Sequence, residues 1–371
     1  MKTQAAVLHA AGQPFEIEEL DVLAPEQFEV LVRWDYSGLC HSDLHMVKGH
    51  LPFRAPMVFG HEGAGEVLET GPGVTSVVPG DRFVASFYPV CGTCRWCVTG
   101  RSRLCDLGAA GTIGHLPSGR YPLRGPSGAE YGAMMTIGTF AQYGTVHEKS
   151  LVRVENHVPL DKAALVGCGV PTGWGSAVYA ADVSPGDTVV IFGVGGIGMN
   201  AVQGAAYAGA QHVVVVDPAE LNNSAAKTFG ATHAVSTYDE ARELVMELTR
   251  GVGAEKAIIT VDTLDEGVIA AADALTSKGS VLVLTSMGPV DEKTLHLSGV
   301  GVALYDKTIK GSLYGGCNPQ YDITKLLSLY ESGHLLLDEL ITRTYRLDEV
   351  NTGYDDLQAH RNIRGVIKHE H

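Results

Sequence analysis

Thr188-Val189-Val190-Ile191-Phe192 runs straight into Gly193-Val194-Gly195-Gly196-Ile197-Gly198. The first five residues are apolar and rich in branched side chains, the composition of a strand buried on both faces of a parallel sheet. The next six read G-x-G-x-x-G, and Met199 to Ala208 continues as a helix of small residues. A second strand, Val213-Val214-Val215-Val216, ends at Asp217. Strand, glycine turn, helix, strand and terminal acid together make a dinucleotide-binding unit. Gly193, Gly195, Gly196 and Gly198 let the backbone approach a pyrophosphate at the helix N-terminus. Asp217 is placed to accept hydrogen bonds from the adenosine ribose. Pro218 and Ala219 follow it, with no Arg or Lys beside them to meet a 2′-phosphate. NAD is therefore expected rather than NADP.

The same rhythm continues outward. Helices are expected near 224–229, 238–249 and 266–275, and strands near 232–235, 256–260, 280–284 and 308–313. Six strands joined by crossover helices predict a doubly wound parallel sheet. Upstream the pattern changes. Residues 1 to about 90 hold short branched and aromatic runs split by turn signals such as Gly71-Pro72-Gly73, which predicts a compact antiparallel β-barrel. Residues 106–140 are rich in Gly, Ser, Thr and Pro and read as a long loop. Downstream, Asp322 is expected to cap a helix over 323–331, and Val350 to Ala359 is a second short helix.

The chain has 371 residues, enough for two domains, and a formal charge of -15. That charge argues against nucleic acid or an anionic membrane as partner. No apolar run reaches the ~18 residues of a membrane helix, and no signal peptide precedes the first strand. Four of the seven cysteines, Cys91, Cys94, Cys97 and Cys105, stand as C-x2-C-x2-C-x7-C. An odd count with this clustering points to metal thiolates in a reducing cytoplasm rather than to disulfides. Four thiolates with no fifth donor form a closed, structural zinc site. A ferredoxin cluster has three residues and then a proline around its last cysteine; here there are seven, and Asp106 follows.

A second donor set is dispersed. Cys40 and His61 lie in Gly38-Leu39-Cys40-His41-Ser42-Asp43-Leu44-His45 and Gly60-His61-Glu62-Gly63. Asp43 and Glu62 stand beside them as residues that could orient a ligand. Cys168, between Gly167 and Gly169, is the best third ligand. Cys2His leaves zinc one open position, the arrangement of an alcohol dehydrogenase. Such a zinc favours an alkoxide over an alcohol, and NAD accepts the hydride. Ser42 can hydrogen-bond the alcohol oxygen, and His45 can pass the proton on to solvent through a cofactor ribose hydroxyl.

Together these motifs resemble the zinc-containing medium-chain alcohol dehydrogenases, in order and spacing over essentially the whole chain. The resemblance implies a GroES-like catalytic domain over 1–169 and 313–371, with a structural zinc lobe at 88–106. It implies a Rossmann NAD-binding domain over 170–312, with the catalytic cleft between the two. It further implies that Ser42 and His45 form the proton relay and that Leu51 and Phe87 line the substrate pocket. Thr172 and Ile197 would touch the nicotinamide, and Arg364 would bind pyrophosphate. Where the family often has Arg, His41 would make a weaker or pH-dependent phosphate contact. Asn222 stands where many members have Lys.

A narrower likeness, in 167–175, 311–315 and 362–367, is to the actinobacterial NDMA-dependent group. Its members are nicotinoproteins, which hold NAD(H) as a fixed group that an external acceptor reoxidises. The long 106–140 segment resembles the dimeric members, so a homodimer is expected. Within the same fold, the alternative is a glutathione-adduct formaldehyde dehydrogenase, which needs a cationic pocket that His41, Leu51 and Phe87 do not supply. Outside it, a non-enzymatic zinc interaction protein would leave the second donor set unexplained.

Overall fold

The computed structural model describes residues 1–288, 290 and 294–371. The chain divides into two compact units. The first is Met1–Cys168 with Asn318–Ser332 and Leu337–His371; the second is Gly169–Cys317 with Gly333–Leu336. The last four residues side with the second unit because Gln203 grips them. Its amide accepts from the Leu336 N–H at 2.6 Å and donates to the Leu336 carbonyl at 3.1 Å.

The second unit holds, among the described residues, a six-stranded parallel sheet. Its spatial order is His233–Val235, His212–Val216, Thr188–Phe192, Ala254–Ile259, Thr276–Leu284 and Thr308–Gly311. In chain order that is 3-2-1-4-5-6, the doubly wound order of dinucleotide-binding folds. Thr188–Phe192 is buried throughout, as its composition requires. The core packs Val190, Phe192, Val214 and Ile259 against Val245, Val268 and Ile269 from helices Tyr238–Leu248 and Glu266–Leu275. Thr237 caps the first of these helices in a reciprocal capping box with Glu240. The helix expected near 224–229 lies earlier, at Glu220–Ala226, and draws Asn222 and Asn223 under Asp217.

The first unit contains a closed barrel of Lys2–Leu8, Glu16–Val22, Leu123–Arg124, Glu130–Ala133 and Met57–Val58. Beside it lies a seven-stranded sheet. Leu151–Val154, Arg82–Ala85, Gly63–Thr70, Glu29–Gly38, Arg364–Lys368 and Ile341–Tyr345 follow one another, and Tyr143–His147 also pairs with Glu29–Gly38. Two expectations are corrected. The barrel is not confined to the first 90 residues, and 106–140 is not all loop: Leu123–Arg124 and Glu130–Ala133 complete the wall. These strands are too short to show a period, and Glu130–Ala133 pairs in parallel with Met57–Val58. The helix expected to begin after Asp322 starts a turn earlier, at Pro319. Asp322 reaches back to accept from the Asn318 N–H at 2.7 Å instead of capping from outside.

Strand pairing in this unit positions the chemistry. Ser37 pairs with Gly63, so the chain leaving one strand toward Cys40 lies beside the chain arriving from His61 and Glu62. Val366 pairs with Gly38 on the other side, which delivers Arg364. Ala85 pairs with Gly63 and delivers Phe87.

Candidate active site

Cys40 lies two residues past the strand Glu29–Gly38 and is the N-terminal flank of a short helix, His41–Val47. His61 and Glu62 precede Gly63, and Cys168 follows a helix over Leu160–Leu165. One ligand atom from each of Cys40, His61, Glu62 and Cys168 lies within 4.8 Å of the others, and all four residues are buried. His61 Nδ1 is hydrogen-bonded to Asp43 Oδ1 at 3.2 Å, while its Nε2 is buried with no partner in the structure. A buried, bare imidazole nitrogen facing two thiols is a metal ligand in waiting, since it would otherwise cost the desolvation of a lone pair. The residues fit zinc.

The electrostatics say the same. A hydrogen bond from Cys168 lowers the Cys40 thiol well below its usual range, against burial and helped by His61. The same contact, together with burial, pushes Cys168 well up. Burial opposes charge on His61, but Asp43 and Cys40 outweigh it and raise its pKa. With no metal bound, Cys40 and Asp43 favour a proton on His61, and a metal cation would take that proton's place. Burial pushes Glu62 up to about 7 against the pull of Arg364, whose Nη2 donates to Glu62 Oε2. Gly38 makes that pairing feasible: a Cβ there would stand 2.0 Å from Glu62 Oε2. Asp43 Oδ1 also accepts from the Gly60 N–H at 3.2 Å. Asp43 Oδ2 and the Tyr354 hydroxyl are both buried, and Tyr354 interacts with Asp43. Burial first, then the charges of Asp43 and Cys40, push the Tyr354 pKa well up, so that hydroxyl stays a donor.

The other expected residues fall as follows. Ser42 Oγ lies 3.7 Å from Cys40 Sγ. Phe87 stacks edge-on against His61, ring centroids 5.4 Å apart. Leu51 packs on the core that holds Leu39, Leu44 and Phe59. His45 is buried and its Nδ1 lies 3.1 Å from His50 Nδ1. His41 is the half-buried first residue of its helix. Arg364 is buried and turned onto Glu62, a commitment that 302 residues of separation hide in the sequence. Sequence reading also missed Tyr354 and His50. His50 had a local signal, a glycine just past the helix ahead of it.

Cys91, Cys94, Cys97 and Cys105 converge around Arg95–Val98. Sulfur pairs lie 3.6 Å (Cys94–Cys97), 3.8 Å (Cys94–Cys105) and 3.9 Å (Cys91–Cys97) apart. Zinc–sulfur bonds of about 2.3 Å put the corners of a tetrahedron about 3.8 Å apart, so these four fit zinc. Against burial, the amides of Thr93 and Cys94 bring Cys91 down to about 6. Burial and the neighbouring sulfurs hold Cys97 up at about 12.

In the second unit Gly195 flanks the helix Gly196–Tyr207, which has no side-chain cap, and a Cβ on Gly195 would meet nothing within 4 Å. Ile197 sits in the first turn. Its uncapped amides face an open cradle, which fits a pyrophosphate. Asp217 is nearby: Oδ2 accepts from the Val194 N–H at 2.8 Å and Asn222 Nδ2 at 3.1 Å, and Oδ1 from the Ala219 N–H at 2.8 Å. Its carboxylate is thus fixed in place, with lone pairs to spare. Thr172 is buried in the helix Gly169–Gly175, its carbonyl accepting from Ser176 Oγ at 2.7 Å.

Comparison with known proteins agrees with this chemistry. Residues 26–156 match the alcohol dehydrogenase GroES-like domain, and residues 196–332 match the zinc-binding dehydrogenase family. The NDMA-dependent alcohol dehydrogenase of Amycolatopsis methanolica is 53% identical over 369 residues, 100% of this chain and 99% of that one. Among solved structures, benzyl alcohol dehydrogenase from Acinetobacter calcoaceticus superposes with a TM-score of 0.92 at 28% identity, covering 100% of both chains. An alcohol dehydrogenase zinc-binding domain protein from Burkholderia ambifaria gives 0.93 at 30%, again covering 100% of both. Sequence, fold and donor chemistry therefore agree that the chain belongs to the zinc-containing medium-chain alcohol dehydrogenases, oxidoreductases that move hydride between an alcohol or aldehyde and NAD(H).

Proposed function

We propose that the protein oxidises mainly primary alcohols with one zinc in each cysteine-bearing site and an NAD that does not leave between turnovers. When bound, zinc supplies a Lewis acid for the alcohol oxygen and NAD supplies the hydride acceptor. Cys40, His61 and Cys168 hold the catalytic metal, and Asp43 fixes His61 as the Nδ1–H tautomer with Nε2 facing inward. Arg364 balances Glu62 beside them. Ser42 accepts the alcohol proton and His45 carries it away. Phe87, against His61, and Leu51 form apolar walls suited to the carbon chain. Cys91, Cys94, Cys97 and Cys105 hold the second metal. Gly193, Gly195, Gly196, Ile197, Gly198 and Asp217 bind the adenosine and pyrophosphate, with His41, Thr172 and Arg364 as further cofactor contacts.

The observation that carries this reading is the bare, buried Nε2 of His61 among two thiols. Support for an external acceptor is the NDMA dependence in the name of the 53% identical relative, and a fixed cofactor rests on the resemblance to that group. A homodimer is supported by the edge of the parallel sheet. Thr308–Gly311 is an edge strand, and Val300, Leu304 and Tyr305 just before it are 69%, 76% and 47% exposed. Such a patch is apolar surface that an isolated chain would leave in water.

The test is to denature the purified protein and measure zinc and NAD(H) in the supernatant. Near-stoichiometric NAD(H) with zinc for both sites is expected. An empty cofactor site and activity that needs added NAD would overturn the fixed cofactor. Cys168→Ala should lose one zinc and turnover while remaining folded; full activity in that variant would overturn the ligand assignment.

A further inference from the structure

The helix His41–Val47 ends in a particular way. Lys48 is its C-terminal flank and Gly49 follows at φ +78. The Gly49 N–H donates to the Met46 carbonyl at 3.0 Å, and the His50 N–H to the His45 carbonyl at 2.8 Å. These paired bonds, from the first residue past the cap to the second-last helical carbonyl and from the second residue past it to the third-last, define a Schellman motif. That motif normally closes with an apolar contact between the two residues its longer bond joins. Here the contact is between two imidazoles: His45 Nδ1 and His50 Nδ1 are 3.1 Å apart, with ring centroids 5.4 Å apart. Two Nδ1 atoms at that distance share a single proton, so one ring donates and the other accepts. His45 is 4% exposed, while His50 is half-buried.

We infer that His50 is the outlet of the proton path, receiving from His45 the proton that alcohol oxidation releases. This rests on His45 being the relay. The balance is simple. A proton reaches the Nε2 side of His45; the Nδ1 proton of His45 moves to His50 Nδ1; a proton leaves His50 Nε2 to water. The two electrons of the oxidation travel with the hydride to NAD, and both rings finish neutral. His50 acts through His45 and does not touch the substrate. Burial explains the need for it: a buried imidazolium without an exit would be held back by desolvation.

The experiment compares His45→Gln, His50→Gln and the double variant as holoenzymes. Each is read by kcat, KM, the solvent deuterium effect and rescue by added imidazole. His50 is at the surface end of the pair, so its variant should fold, and circular dichroism checks that it does. Expected are a roughly tenfold fall in kcat with KM little changed for both single variants, no further fall in the double, and recovery with imidazole. A purely structural role would give no imidazole rescue, and that result overturns the inference. A slow His45→Gln beside a His50→Gln of unchanged rate overturns the outlet while leaving the relay standing. Unchanged rates in both overturn the relay itself.

Discussion

His61 has one ring nitrogen tied and the other bare, and neighbouring residues depend on that asymmetry. Arg364→Met would leave Glu62 buried without its cation. The expected cost is about 3 kcal/mol or more in urea denaturation of the metal-free protein, largely relieved in the Arg364→Met, Glu62→Gln double variant. His369 gives a second prediction, in pH. Ser37 Oγ donates to the Thr139 carbonyl at 2.7 Å, so His369 Nε2 must be the donor to Ser37 Oγ at 2.9 Å. Its Nδ1 is buried without a partner, and burial holds its pKa down at about 3. A base with a depressed folded pKa binds its proton first in the unfolded chain. Its contribution to stability is therefore complete above about 6.5 and is lost as pH falls toward about 3. In that window stability should fall by about 1.4 kcal/mol per pH unit from this group, and His369→Gln should flatten the slope by that much. At this scale the sequence was legible where one residue type has one chemistry. Cys40, His61 and the four clustered cysteines stand out as candidate ligands by type and spacing, and the fold gathers them into two donor clusters. Their supports do not stand out, because Arg364, Tyr354 and His50 are ordinary residues until the fold brings them to Glu62, Asp43 and His45.

Elements were legible in proportion to their length and regularity. The helix Glu266–Leu275 and the strand Thr188–Phe192 have patterns long enough to fix both ends. Leu123–Arg124 spans two residues and is defined only by its partners, Glu16–Val22 and Glu130–Ala133. No periodicity could reveal it. Helix ends moved where a polar residue had two choices: Asp322 bonds back to Asn318 from within the helix rather than capping it. The glycine after His41–Val47 offers an element-scale test. Gly49→Ala forces a side chain into φ +78 with only the Ala11 side chain, at 3.5 Å, nearby, so the strain is in the backbone and not in packing. A loss of about 1 kcal/mol is expected in thermal or urea unfolding, with a fall in kcat like that of His50→Gln. A stability loss with unchanged kcat would separate the turn from the proton path.

For the molecule as a whole, composition and rhythm announced a β-rich unit and a parallel α/β unit, while the return of the late segments to the first was implied only by the family resemblance. At this scale the exposed patch around Val300 and Leu304 predicts association. Leu304→Glu should shift the mass measured by light scattering toward the monomer without changing the circular dichroism spectrum, and an unchanged mass would exclude this face. The pairing of Arg364–Lys368 with Glu29–Gly38 has a temporal meaning as well. During synthesis the second unit is nearly complete once Cys317 has been made, whereas the sheet that carries Cys40 and Glu62 still lacks an interior strand. Segments that pair across more than three hundred residues close slowly, and domains made from contiguous chain have the advantage. The nucleotide fold therefore precedes the metal fold in the life of each molecule. A chain stalled before Arg364 would have its parallel sheet complete and its other sheet short of an interior strand, and its Glu62 would have no cation beside it.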